Sequence, residues 1–271
     1  MRVGVGLPTS TPGADRAAVL DWARGADGLG FSSLGVVDRI VYDCWEPLAA
    51  LAATAAVTQR VRLATMILIG PLRPTAALAR QAATVDAIAG GRLVLGLGIG
   101  ARHDDYRAAG ADPAHRGRDL SEQLVRLRMA WEEGGQRCPP LLVGGAGGPA
   151  FARAARYADG YVHGGGPPRA FAAAAARARA AWADAGRPGR PQLWGQGYFA
   201  LGDAERGAAY LRSYYEFAGA FAEKAAAANL VTAQAVKDFV RGYEEEGCDE
   251  LVLFPTVTDL AQLERLAEAL A

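Results

Sequence analysis

The stretch that decides the fold is Gly90-Gly-Arg-Leu-Val-Leu-Gly-Leu-Gly-Ile-Gly100. It follows a helical pattern over 78–88, turns on paired glycines and becomes a continuous apolar segment. An apolar strand without polar alternation is typical of a parallel sheet that is covered on both faces. The end of this strand is reduced to glycine, so a flat or anionic group could approach bare backbone there. We therefore look for the chemistry of this protein at such strand ends.

Strand and helix patterns alternate eight times along the 271 residues. The predicted strands are 3–7, 32–37, 61–69, 93–99, 141–144, 160–163, 192–201 and 250–254. The predicted helices are 14–28, 45–58, 74–88, 116–133, 149–157, 169–185, 204–246 with a break near 229–232, and 259–270. Eight alternations favour a closed (β/α)8 TIM barrel, an α/β fold, over a doubly wound sheet. No linker or shift in composition divides 1–271, which we interpret as a single domain.

The bulk composition disfavours several kinds of partner. Positive and negative side chains number 29 each, and no basic block exists, which argues against nucleic acid. No apolar run approaches the ~20 residues of a membrane helix, so we expect no membrane partner, and the run after Met1 is too short for a signal peptide. The three scattered cysteines suggest reduced thiols, with no disulfide frame and no zinc spacing. We expect a cytoplasmic protein that acts on a small molecule.

The strand ends carry few reactive side chains. Both lysines, Lys224 and Lys237, lie in the late helical region, whereas a Schiff-base enzyme needs one at a strand end. The three histidines are far apart and form no paired metal motif, so no metal site is predicted. Asp38 is the only strand-end carboxylate, whereas a glycosidase needs two. A barrel end with so few reactive side chains either binds an organic cofactor that supplies the reactivity or is not catalytic.

Each candidate feature also has a purely structural interpretation. Gly98 and Gly100 either admit a ligand or relieve crowding at the barrel rim. The glycine-rich loop 144–148 opens a helix and suits a phosphate, but an ordinary tight turn would look the same. Asp38 is either a site residue or an ion-pair partner of Arg39.

Three further features have the same two interpretations. His163 is either a site residue or a satisfied rim histidine. His103 lies in the loop after the fourth strand and is either a loop residue or catalytic. The tyrosines at 210, 214 and 215 are interpreted as packing, and most helix arginines as solvated.

Taken in order along the chain, these pieces resemble the luciferase-like monooxygenase superfamily. The segments that carry the resemblance are 26–38, 58–65, 74–88, 90–100, 140–149, 158–161 and 250–255. The resemblance is closer to the deazaflavin-dependent branch than to true luciferases. It implies a TIM barrel that binds coenzyme F420 or FMN at its strand ends and that forms a homodimer.

The resemblance also implies roles for particular residues. In this superfamily a bulged third strand, often with a non-prolyl cis peptide, braces the ring, and the matching residues are Thr65, Met66 and Ile67. Its phosphate-binding turn matches Gly145, Ala146 and Gly147, and its fourth-strand end, along the cofactor, matches Gly98 and Gly100. Asp38 would hydrogen-bond near the ring edge, Arg39 would stabilise negative charge, and His103 or His163 would relay a proton. We therefore predict Asp38, Arg39 and His103 as catalytic, and His163 as a further contact of the cofactor.

The chain departs from the superfamily at three points. Many deazaflavin relatives carry Asp-His where this chain has Asp38-Arg39, and sugar-phosphate dehydrogenase relatives have a glutamate where it has Ala101. Only the brief link 134–139 joins the fourth of the eight helices to the fifth strand. The predicted function is hydride transfer between F420 or FMN and a small organic substrate, or monooxygenation if FMN is used. The alternatives are a catalytically silent cofactor-binding protein and a non-redox barrel enzyme acting on phosphate esters.

Overall fold

A computed structural model describes residues 1–271. Eight parallel strands form a closed barrel in sequence order, and β8 pairs with β1. The strands are β1 (Arg2–Gly6), β2 (Ser33–Val36), β3 (Arg62–Ile69), β4 (Leu93–Gly98), β5 (Leu141–Gly144), β6 (Gly160–Val162), β7 (Gln192–Phe199) and β8 (Glu250–Pro255). The prediction of a (β/α)8 barrel is confirmed.

Eleven α-helices surround the barrel or cover its ends. They are α1 (Arg16–Gly28), α2 (Pro47–Ala55), α3 (Thr75–Ile88), α4 (His103–Ala108), α5 (Arg116–Glu133), α6 (Gly148–Tyr157), α7 (Pro168–Asp184), α8 (Ala204–Tyr214), α9 (Phe221–Ala227), α10 (Ala233–Glu245) and α11 (Ala261–Leu270). None of them is both long enough and apolar enough to cross a lipid bilayer.

The helical region between β7 and β8 differs from the prediction. The span 204–246 contains three helices and two breaks, because the chain turns at Gly219 with a φ of +57° before α9 begins. The second break falls where predicted: Leu230 bridges to Phe199 at the end of β7, and the Thr232 side chain then caps α10. The short helix α4 was not predicted. Its six residues are too few for a helical period to show in the sequence.

The third strand has the irregularity that the superfamily resemblance implied. The peptide bond between Met66 and Ile67 is cis, and the register of β3 against β4 shifts between Thr65 and Leu68. The hydroxyl of Thr65 donates to the carbonyl of Gly96 on β4, at 2.7 Å. These three residues therefore lie where the superfamily pattern places them.

The amino-terminal end of the barrel is closed by a buried charge cluster. The Glu250 carboxylate is fully buried and accepts hydrogen bonds from the hydroxyls of Ser32, at 2.6 Å, and Ser33, at 2.5 Å. Arg62 also donates to it, and the Arg62 guanidinium packs over the ring of Trp194. The opposite end, where the strands finish, is therefore the end left for ligands, as in other barrels of this type.

Candidate functional site

One half of the barrel mouth is closed by tyrosines. Tyr210, Tyr214 and Tyr215 lie at the carboxyl end of α8, as predicted for packing residues. The hydroxyl of Tyr210 shares a hydrogen bond with Ser10 after β1, and that of Tyr215 shares one with Tyr198 on β7; both are 2.7 Å long. This aromatic cap, by which we mean these α8 tyrosines, therefore covers the ends of β1 and β7.

Arg39 is buried beneath the aromatic cap. Its Nε lies 3.2 Å from Asp105 of α4, and its guanidinium is about 5 Å from the ring centroids of Tyr42, Tyr214 and Phe217. The Nη2 atom of Arg39 is buried and has no hydrogen-bond partner. The positive charge of Arg39 is therefore used inside the protein, between a carboxylate and aromatic faces.

Asp38 is paired with an arginine other than its neighbour in sequence. Its carboxylate accepts two hydrogen bonds from Arg73, at 2.6 and 3.0 Å, and one from the backbone N–H of Ile69, at 2.7 Å. Burial raises the pKa of Asp38, and the hydrogen bond and charge of Arg73 oppose that rise. The suggested ion pair with Arg39 is wrong, because the two adjacent side chains diverge to Arg73 and to Asp105. Asp38 holds the end of β3 in place.

A cavity of about 250 Å³ occupies the other half of the mouth. Its walls come from the ends of β3, β5, β6 and β7 and the loops that follow them. The lining residues are Met66, Ile67, Gly144, Gly145, Ala146, Tyr161, Val162, His163, Gly164, Gly165 and Gln196. Five of the predicted cofactor contacts, at positions 66, 67, 145, 146 and 163, therefore meet around one space.

Only two side chains with spare hydrogen-bonding capacity face this cavity. The Nε2 of His163 is buried and has no partner. Gln196 is 8% exposed, and its Nε2 donates to the carbonyl of Gly164 at 3.2 Å, which leaves its Oε1 free. The hydroxyl of Tyr161 is already used, because it donates to the carbonyl of Gly145 at 2.7 Å. The rest of the lining is apolar or backbone, as in most small-molecule sites.

The glycine turn after β5 presents free backbone donors at the edge of the cavity. Residues 145–148 are exposed, and the N–H groups of Ala146 and Gly147 donate to no acceptor in the chain. Gly147 is the N-cap of α6, and no side chain caps that helix. Free N–H groups at the positive end of a helix dipole form a suitable site for an anion.

A cation lies beside the same turn. The Nη2 of Arg177, on α7, is 3.6 Å from the position that a Cβ on Gly148 would occupy. Its guanidinium packs 4.6 Å over the ring of Phe151, and no carboxylate pairs with it. Most helix arginines were predicted to be solvated. Arg177 is exposed, but its guanidinium also lies beside the glycine turn.

The remaining predicted residues lie outside the cavity. Gly98 makes room for Ile67, because a Cβ there would overlap the Ile67 side chain, and Gly100, at a φ of +66°, does the same for Ile69. Thr65 lies below the cavity in the barrel wall, and His103 is exposed at the start of α4. Close packing against Ile67 therefore accounts for Gly98 at the end of β4, and close packing against Ile69 together with a positive φ accounts for Gly100 after it.

The sequence interpretation missed Gln196, Arg73 and Arg177. The pattern of β7 did carry a signal for Gln196, because it is a polar residue in the interior of a strand whose neighbouring residues are apolar or glycine and mostly buried. Nothing in the sequence paired Arg73 with Asp38, since 35 residues separate them.

Known proteins match this chain in sequence and in structure. The family model for luciferase-like monooxygenases matches residues 1–251. An uncharacterised protein of Mycobacterium tuberculosis is 31% identical over an alignment of 187 positions that covers 54% of this chain and 65% of that protein. The chain thus spans just under two-thirds of the length of that relative.

Solved structures share the whole fold. An F420-dependent secondary alcohol dehydrogenase in complex with an F420-acetone adduct superposes with a TM-score of 0.82 over 99% of this chain and 97% of that chain, at 17% identity. The oxygenating constituent of 3,6-diketocamphane monooxygenase from Pseudomonas putida, in complex with FMN, gives 0.76 over 98% and 96%, at 17% identity. At these identities the likeness concerns the fold. The family match over residues 1–251 shows that the chain belongs to the luciferase-like monooxygenase family.

Proposed function

We propose that this protein is a flavin- or deazaflavin-dependent oxidoreductase that uses the cavity between β3 and β7. In this proposal FMN or coenzyme F420 exchanges a hydride with a small organic substrate, and FMN would support monooxygenation. The observation that carries the proposal is the meeting of Met66 and Ile67 with the glycine turn and His163 around one cavity. The family match and the F420- and FMN-dependent structural neighbours support it.

The residues present fit such a group. The cavity volume of about 250 Å³ lies just below the ~300–1,000 Å³ usual for sites that enclose a whole small molecule. A planar ring would occupy the apolar space, and a phosphate-bearing tail would extend outwards along the exposed turn. Free N–H groups at Ala146 and Gly147 and the Arg177 guanidinium would hold that phosphate.

The chain would contribute binding, orientation and exclusion of water, while the bound cofactor would supply the redox chemistry. Ile67 lies between Gly98 and Gly144, so its side chain is positioned by close packing and forms a firm wall of the cavity. Asp38 and Arg73 hold the end of β3 in place. The aromatic cap closes the other half of the mouth, which keeps water away from the ring.

A matched pair of variants tests the phosphate end of this proposal. In Gly147→Asp and Gly147→Asn, the new side chain can cap α6 equally well, because both residues are favoured N-caps, so the helix is not weakened. Only the aspartate brings a negative charge. At about 4 Å, two like charges repel by ~1–4 kcal/mol near a protein surface, so we expect at least about fivefold weaker cofactor binding in Gly147→Asp than in Gly147→Asn.

The assay is fluorescence titration of the purified protein with FMN and with F420. Arg177→Gln should also weaken binding, whereas Arg169→Gln, an exposed arginine on the same helix, should not. The difference in cofactor affinity between the two Gly147 variants should become smaller at high salt, because salt screens exposed charges. Equal affinities for both variants at low salt would place the phosphate elsewhere, and absence of binding by the unaltered protein would refute the proposal.

The silent cofactor-binding protein is the second candidate function. It is favoured by the burial of Asp38 and Arg39, which leaves neither residue after β2 open to the cavity. Consumption of reduced cofactor in the presence of a substrate panel distinguishes the two functions, because a silent binder titrates but does not turn over.

A further inference from the structure

Phe217 covers the buried guanidinium of Arg39 at the edge of the aromatic cap. It lies on a short 3₁₀ turn, Glu216–Ala218, that follows α8. The centroid of its ring is 5.4 Å from the guanidinium carbon of Arg39 and 4.6 Å from that of Arg102. One flat ring therefore occupies a place bounded by two guanidinium groups, which we call the guanidinium slot.

One donor beside the guanidinium slot has no acceptor. The Nε of Arg39 is 3.2 Å from Asp105, and its Nη1 donates to the carbonyl of Tyr214 at 3.4 Å. Its Nη2 has no partner, although the side chain is only 6% exposed. A buried donor without an acceptor costs free energy, and native structures seldom keep one without a reason. Phe217 offers the face of its ring to the charge but no lone pair, so an occupant with an acceptor atom would fill the slot better.

Phe217 can leave the guanidinium slot without breaking a hydrogen bond across the barrel mouth. Its ring is 43% exposed. The backbone hydrogen bonds of its turn are local, because Ala218 donates to the carbonyl of Tyr215 and Gly219 donates to that of Glu216. Gly219 has a φ of +57°, and nothing lies within 4 Å of a Cβ there. The ring is therefore held by aromatic and cation–π contacts, each of which stabilises only weakly at an exposed site.

The guanidinium slot carries no net charge. Arg39 is paired with Asp105, which is fully buried, and Arg102 is paired with Asp104. An anion in the slot would therefore meet two carboxylates together with the two arginines, which cancels most of its attraction. A carbonyl oxygen gains the hydrogen bond from Nη2 of Arg39 without that repulsion. We therefore expect a neutral acceptor in the slot rather than an anion.

Packed side chains connect the guanidinium slot with the cavity between β3 and β7. Met66 lines that cavity, and it belongs to the same cluster of buried apolar side chains as Tyr214 of the aromatic cap. Tyr42 packs against this cluster, and its ring centroid is 5.2 Å from the guanidinium carbon of Arg39. The cluster therefore reaches from the cavity to the slot, which places a ligand of the slot in the same barrel mouth as the cofactor.

We propose that the guanidinium slot is a binding site for a planar aromatic compound that carries a carbonyl oxygen. The ring of the ligand takes the place of Phe217 against the two guanidinium groups, and its carbonyl oxygen accepts the hydrogen bond from Nη2 of Arg39. In the free protein, Phe217 occupies the slot and competes with the ligand. The assignment of this ligand as the substrate rests on the proposed function, whereas the binding site itself does not.

Phe217→Ala tests the site, because it removes the ring that occupies the slot. The probes are acetophenone, which has a benzene ring and a carbonyl group, and ethylbenzene, which has the same ring and no acceptor. NMR titration measures their affinities. We expect Phe217→Ala to bind acetophenone about fivefold or more tightly than the unaltered protein does, because the competing ring is gone. It should bind acetophenone about tenfold more tightly than ethylbenzene, because of one hydrogen bond from a charged donor. Equal affinities for the two probes would overturn the inference.

Phe221→Ala is the matched control. The ring of Phe221 is 51% exposed and packs against Tyr215, and it makes no cation–π contact. An equal gain in acetophenone affinity in Phe221→Ala would overturn the inference. Arg39→Lys, combined with Phe217→Ala, keeps a positive charge for Asp105 but removes Nη2, so it should lose the preference for acetophenone over ethylbenzene. If this variant does not fold, the comparison of the two probes in Phe217→Ala still decides.

Two further measurements separate this inference from the proposed function. Benzoate, which has a carboxylate in place of the carbonyl group, should bind Phe217→Ala more weakly than acetophenone, and tighter binding would overturn the choice of a neutral acceptor. The same proteins are titrated with FMN and F420. If acetophenone binds as expected and neither cofactor binds, the binding site is supported and the proposed function fails. If a cofactor binds and acetophenone is not preferred over ethylbenzene, this inference fails while the proposed function is supported.

Discussion

Replacement of Gly144 by alanine tests whether close packing around Ile67 shapes the cavity. A Cβ at position 144 would lie 2.6 Å from Cδ1 of Ile67, 3.3 Å from its Cγ2 and 3.5 Å from its Cγ1. Carbon atoms in contact prefer about 3.5–4.0 Å, so Cδ1 must move by about 1 Å while the other two atoms nearly fit. Ile67 lines the cavity, and its Cδ1 is also the atom that a Cβ at Gly98 would meet.

The expected cost follows from this single close contact. Overpacking of this kind destabilises a protein by ~1–3 kcal/mol, and Ile67→Val alone, which removes Cδ1, should cost ~0.5–1.5 kcal/mol. In the double variant, which combines Gly144→Ala with Ile67→Val, the Cδ1 atom that would collide with the new Cβ is absent. We therefore expect the double variant to be more stable than the sum of the two single changes predicts, by about 1 kcal/mol or more.

Urea denaturation of the unaltered protein, the two single variants and the double variant measures this coupling. Cofactor titration should show weaker binding in Gly144→Ala and recovery in the double variant, because the displaced Ile67 side chain no longer intrudes. Gly28→Ala is the control for the effect of glycine itself, since nothing lies within 4 Å of a Cβ there, and it should be neutral or stabilising by up to ~1 kcal/mol. Strict additivity of the two changes would refute the packing argument.

Three further outcomes are expected. Arg73→Ala should destabilise the protein by ~3–5 kcal/mol, because it leaves the Asp38 carboxylate buried without its partner; a urea midpoint equal to that of the unaltered protein would contradict this. Phe217→Leu should cost ~1 kcal/mol, since its ring is packed between two guanidinium groups and such contacts are worth ~0.5–1 kcal/mol each at exposed sites; thermal unfolding in low and high salt measures it. Because burial lowers the pKa of His163, the unfolded chain binds more protons below about pH 6.5, so the free energy of unfolding should fall as the pH drops through that value. His163→Gln should remove this component of the pH dependence in urea titrations from pH 7.5 to 5.5, and persistence of the full slope would show that other groups cause it.

The barrel was predictable because its signals are local and repeated. Continuous apolar runs such as 93–98 mark strands that are covered on both faces, and each is followed by a helical pattern. The errors fall where the local signal is weak. Between β7 and β8 the predicted helical region 204–246 has one expected break near 229–232, and the structure adds a second at Gly219, which has a positive φ. These interruptions place the α8 tyrosines over the barrel mouth.

Only part of the candidate site was predicted from the sequence. The residues at positions 66, 67, 145 and 146 were named from the family pattern and His163 from its place at a strand end, and the structure brings all five around one cavity. Asp38 and Arg39 were predicted as catalytic residues, with an ion pair between them as the structural alternative. Consecutive side chains near a strand end point in opposite directions, so each found a partner far away in sequence, Arg73 and Asp105.

By itself, the sequence determined the number and order of the strands and the glycine turn that opens α6, whereas the irregular third strand was expected only from the family resemblance. These features depend on residues that are close together in the chain. Only the tertiary structure decided which side chains are free to meet a ligand. Each polar side chain can form only a few hydrogen bonds, and residues far away in the sequence already form them. Arg73 pairs with Asp38, and Asp105 and the aromatic rings contact Arg39. The Nε2 atom of His163 and the Oε1 atom of Gln196 keep no hydrogen-bond partner within the chain.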